Sequence, residues 1–82
     1  MTDVGHWDCW GSHGELKHVN RPTPNATPEH AMNELLSKAK FVFGYDQPWA
    51  EWQWEARQYG GVGAPVVIRF RRNETLKLWE RL

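Results

Sequence analysis

The sequence predicts an α+β fold: a small, mainly antiparallel sheet in the order ββαβββ, covered on one face by a single helix. Three observations lead there. One segment carries capped helical periodicity, two later segments alternate apolar and polar residues, and turn chemistry separates them. With 82 residues the chain makes one domain, spanning 1–82.

Residues 1–5 are expected to be a loose terminus. His6 to Trp10 and Glu15 to Val19 flank the turn-like "GSHG" and read as a hairpin. Setting Trp10 opposite Glu15 puts Asp8 against Lys17, an opposite-charge pair across the strands, and Trp7 against His18. "NRPTPNATP", from Asn20 to Pro28, is a connector, because prolines and asparagines interrupt any regular element.

A helix follows. Thr27 suits the N-cap, Pro28 the first helical position, and Glu29 the positive end of the dipole. Met32, Leu35, Leu36 and Ala39 share a face, while Glu34 and Lys38 pair on the wet side. The expected end is near Lys40, with Phe41 to Phe43 extending it or starting a strand.

"AEWQWEAR" has two readings. As a strand, Ala50, Trp52, Trp54 and Ala56 face one way and Glu51, Gln53, Glu55 and Arg57 the other. As a helix it runs from Pro48 to Gly60. The strand explains Trp54 and is preferred. "GGVGA" is then a five-residue hairpin loop into the strand Pro65 to Arg72, where Val66, Ile68 and Phe70 alternate with Val67, Arg69 and Arg71.

The tail "NETLKLWERL" also fits a helix or a strand, and the strand is chosen on register. A three-residue turn, Asn73 to Thr75, gathers Val66, Ile68, Phe70, Leu76, Leu78 and Leu82 on one side. The other side then collects Arg69, Arg71, Lys77, Trp79 and Arg81, at the expense of a left-handed Thr75.

Composition narrows the functional classes. Six tryptophans in so short a chain are hard to bury completely, so one or two should line a surface. A single cysteine, Cys9, forbids an internal disulfide and fits a reducing, cytoplasmic setting. No apolar run of signal-peptide or membrane-spanning kind is present. Residues 1–56 hold four basic and eight acidic side chains, residues 57–82 six and two, so a zero net charge conceals a gradient.

His6, Cys9, His13 and His18 are zinc-ligand types, yet their spacing matches no common zinc module, so no metal site is assigned. Asp8 beside Cys9 would raise the thiol pKa, against a nucleophilic role. "GGVGA" lacks the Lys and Ser/Thr of a phosphate loop. Glu51 and Glu55 read as a solvated strand face rather than an acid–base pair. No catalytic residue and no cofactor is assigned.

The expected function is therefore a non-enzymatic protein-binding module, an adaptor or inhibitor, working as monomer or homodimer. Its partner would be a host or cellular protein with an acidic patch. The contact would be made by Arg69, Arg71, Lys77, Trp79 and Arg81. Small accessory proteins of phages and mobile elements have this size. A nucleic-acid-binding regulator using the same face is the first alternative, and a small zinc protein using the histidine cluster the second.

Overall fold

The computed structural model describes residues 6–21, 27–59 and 66–82. It contains β1 (His6–His13), β2 (Leu16–Asn20), α1 (Pro28–Phe43), a 3-10 turn (Trp49–Glu51), β3 (Gln53–Tyr59), β4 (Val67–Asn73) and β5 (Leu78–Arg81). The element order is the expected ββαβββ, and α1 lies on one face of a single antiparallel sheet. The strand order is β2-β1-β3-β4-β5, so the seam between β1 and β3 joins strands distant in sequence. The expectations for residues 1–5, for most of the Asn20–Pro28 connector and for the "GGVGA" loop fall outside the described residues.

The helix forms for local reasons. Thr27 Oγ1 accepts from His30 N at 3.1 Å, Pro28 sits in the first turn, and Gly44 closes the end at φ 96°. Its last turn runs to Phe43, taking the longer of the two expected ends. Ala31, Met32, Leu35, Leu36 and Ala39 are buried against the sheet. Asn20 fastens β2 to the helix by donating to Glu34 (3.3 Å) and accepting from Lys38 (2.8 Å).

The N-terminal hairpin keeps its expected faces but changes register. Trp10 lies opposite Val19 and His13 opposite Leu16, so the loop shrinks to Gly14 and Glu15. Gly14 takes φ 60° at the first central position, which a tight hairpin reserves for glycine. Asp8 therefore meets Arg21, with Nε to Oδ1 at 2.7 Å, rather than Lys17.

Both ambiguous segments form strands, but the first begins at Gln53 rather than Ala50, because Trp49–Glu51 wind into the 3-10 turn and leave Ala50 exposed. The larger correction concerns β5. Asn73 pairs with Leu78, leaving a four-residue loop in which Lys77, not Thr75, adopts the left-handed conformation at φ 57°. Asn73 Oδ1 accepts from Leu76 N at 2.9 Å and holds that loop. One extra residue reverses the facing of every β5 side chain. Leu76, Leu78 and Leu82 are exposed, and Trp79 turns towards the helix side. An indole offers more apolar surface than a leucine, and its Nε1 reaches Asn33 Oδ1 at 2.8 Å.

The core is aromatic. Trp49, Trp52, Trp54 and Phe70 are buried with Cys9, Ala56 and the helix face. Trp54 Nε1 donates to Trp49 O at 3.2 Å, and Trp49 Nε1 to Tyr45 O at 3.3 Å. These bonds explain the 3-10 turn, which folds Trp49 back over the sheet.

Candidate functional site

Strand parity sends alternate residues to opposite faces. The helix side receives Cys9, Gly11, Trp54, Ala56, Ile68, Phe70 and Trp79. The outer side receives Asp8, Trp10 and Ser12 from β1, Gln53, Glu55 and Arg57 from β3, and Val67, Arg69 and Arg71 from β4. Among the described residues no helix or strand covers this outer face.

Trp10 sits near its middle, half-buried between Val19 on β2 and Glu55 on β3. The Arg57 guanidinium lies 5.1 Å above the indole centroid, a cation–π contact. On one side of Trp10 a groove of about 440 Å³ reaches across β3 to Arg69 and Arg71. On the other side a shallower depression is lined by Lys17, Val19 and Arg21. The face carries Lys17, Arg21, Arg57, Arg69 and Arg71 against Asp8, Glu55 and Glu80, an excess of two cations.

The five expected contact residues do not share one face. Arg69 and Arg71 lie outward. Arg69 Nε is 3.8 Å from Glu55, beyond hydrogen-bond length, and its side chain is 75% exposed. Arg71 directs both Nε (3.0 Å) and NH2 (2.9 Å) at Glu80 Oε1. Arg81 turns to the helix side and grips Glu29 through Nε (2.6 Å) and NH2 (3.0 Å). Trp79 is edge-on to Trp54 at 5.1 Å and stacks under Arg72 at 4.9 Å. Lys77 stands in the β4–β5 loop. The reversed parity of β5 is the cause of this division.

The ion pairs leave their mark on acidity. The bonds from Arg81 hold the Glu29 carboxyl below its usual range, and those from Arg71 and Asn73 do the same for Glu80. Both pairs are substantially exposed and contribute modestly to stability.

Two histidines of the N-terminal cluster are turned to other contacts. His13 stacks on Trp52 at 6.1 Å and His18 meets Phe43 edge-on at 6.2 Å, so both rings serve packing. The described residues hold no group of three metal-ligating side chains. Cys9 is fully buried, and burial first, then the charges of Asp8 and Glu34, push its thiol up to about 12. Iodoacetamide at pH 8 should leave Cys9 unmodified in the folded protein and alkylate it within minutes in urea; rapid alkylation of native protein would contradict its placement. The raised folded pKa also means the unfolded chain loses this proton first. Stability should therefore fall as pH rises above about 9, the unfolded value.

Trp10 is not among the five expected contact residues. Its signal was parity: it shares a face with Asp8 and Lys17, the polar side of the hairpin. A separate apolar patch, Phe41, Val42 and Tyr45, is exposed at the C-terminal end of α1.

No protein-family model matches the chain, and neither a curated protein nor a solved structure does. Among the described residues no helix is long and apolar enough to cross a membrane.

Proposed function

We propose that the protein is a non-enzymatic binding module that docks another protein on its uncovered sheet face and acts as an adaptor or inhibitor. The supporting observation is the half-buried Trp10, stacked with Arg57 and set between Val19 and the groove leading to Arg69 and Arg71. Tryptophan and arginine are the residue types most enriched where interfaces concentrate their energy, and such anchors cluster near the centre of a contact. The buried Cys9 thiol is compatible with a reducing, cytoplasmic setting. Lys77, Trp79 and Arg81 leave the proposed contact, because two of them are engaged with α1 and one stands in a loop.

Affinity capture from nuclease-treated lysate tests this reading. The native protein should retain a specific partner. Trp10→Ala should weaken that complex by about 30-fold or more, the effect of losing a 2 kcal/mol anchor, with an unchanged circular dichroism spectrum. Full retention by the folded variant would sink the proposed face. The cation excess on the same face also favours a second reading, binding of single-stranded nucleic acid with a base on Trp10. Such binding would weaken steeply with added salt, whereas an aromatic-anchored protein contact would respond less.

A further inference from the structure

We infer that the groove beside Trp10 accepts an extended, acidic stretch of the partner, with carboxylates two residues apart on Arg69 and Arg71 and an apolar side chain against Trp10. The inference rests on the docking face proposed above and names the chemistry of its occupant.

Width decides the conformation. Trp10 on β1 and the arginines on β4 are separated by one intervening strand, β3. Two strand spacings are roughly 9.6 Å before side chains are subtracted. An α-helix with its side chains is about 10–12 Å across and rides above such a trough. A single extended segment fits inside it. Spacing then decides the pattern. Arg69 and Arg71 are alternate residues of β4, about 6.8 Å apart along the strand. An extended partner repeats that distance between its own alternate side chains, so an acid–any–acid sequence presents one carboxylate to each guanidinium. Ser12 and Gln53, between the walls, offer hydrogen bonds to that backbone, and Trp52 and Leu82 add apolar surface to the groove.

The arginines are available for this. Arg69 makes no contact with Glu55 shorter than 3.8 Å. Arg71 spends Nε and NH2 on one oxygen of Glu80, which leaves its remaining nitrogen for a second carboxylate. Carboxylates suit the groove better than a phosphate chain does. Glu55 stands in the groove itself, and Asp8 and Glu80 flank it on the same face. A continuous polyanion would pass all three acids, while two discrete carboxylates approach only Glu55 and Glu80, whose charges Arg69 (3.8 Å) and Arg71 (2.9 Å) already offset. The chain's zero net charge also gives a polyanion little long-range attraction.

A nitrogen-15 NMR titration of the intact protein tests the inference. The probe is a capped peptide with glutamates at alternate positions followed by phenylalanine. Saturable shifts are expected at the Trp10 indole and at the Gln53, Arg69 and Arg71 amides. Replacing the peptide's glutamates by glutamines, or the protein's Arg69 and Arg71 by glutamine (R69Q and R71Q), should each weaken binding at least tenfold. Three results overturn the inference: no saturable shifts in the groove, equal binding of the glutamine peptide, or an oligothymidylate that produces the same shifts at lower concentration. Its failure is separable from failure of the docking face. If a captured partner is lost with Trp10→Ala but kept with R69Q and R71Q together, the face binds protein and the acidic segment is wrong.

Discussion

Trp54→Ala should cost about 4 kcal/mol, within the range of roughly 3–5 kcal/mol for emptying a large aromatic site. The ring is 2% exposed and is wedged among Trp49, Trp52 and Trp79, with centroid distances of 6.0, 5.6 and 5.1 Å. Its loss leaves a cavity that three rigid neighbours cannot collapse into, and strips Trp49 O of the 3.2 Å bond that anchors the 3-10 turn. A small domain holds about 5 kcal/mol in total. The variant should therefore show no cooperative urea transition at 37 °C, or one displaced to very low denaturant. A transition within half a molar of the native midpoint would mean the aromatic stack is not the centre of stability.

Gly11→Val is the second large effect, and it acts on the same ring from the opposite side. A Cβ built on Gly11 would stand 2.4 Å from Trp54 Cζ3 and 2.5 Å from Cε3, closer than any real contact. The glycine is there because the indole lies across the backbone of β1, where Gly11 pairs with Trp54. Even Gly11→Ala forces the ring into Trp52 or Trp49, and overpacking of this kind typically costs 1–3 kcal/mol. Valine adds two more carbons and should exceed that. The double variant Gly11→Ala with Trp54→Leu supplies the check. Relieving the clash should make the alanine nearly silent in that background, a coupling of more than 1 kcal/mol. Additive effects would show that the strain is elsewhere.

The accuracy of the sequence reading followed the strength of each local signal. Thr27, Pro28 and the Met32–Ala39 stripe specify a helix by capping and period alone, and the helix stands as expected. Alternation in Ala50–Arg57 and in Pro65–Arg72 identifies β3 and β4 and their faces from Gln53 and Val67 onward, while Trp49–Glu51 form a 3-10 turn instead. The tail failed because its two registers differ by one loop residue. Counting leucines favoured the wrong one, since the competing gain is a tertiary contact: Trp79 against Trp54, with Asn33 on α1 as its hydrogen-bond partner. Nothing within residues 73–82 encodes Asn33. The candidate site inherited that error. Arg69 and Arg71 keep their outward position because β4 was read correctly, while Trp79 and Arg81 moved to the other face with β5. Trp10 is legible by parity, because it shares the polar side of the hairpin with Asp8 and Lys17.

The β1–β3 seam also constrains how the chain can assemble. The hairpin of β1 and β2 is complete early in synthesis, but Cys9 must wait for Ala56 before its second edge is satisfied. Until then that edge offers unpaired amides and carbonyls to any passing strand. Closing the seam requires a long-range loop closure, the kind of step that slows folding from microseconds towards milliseconds or longer. During that delay a neighbouring copy's β3 is a competing mate for β1, so nascent or crowded chains are exposed to hairpin exchange.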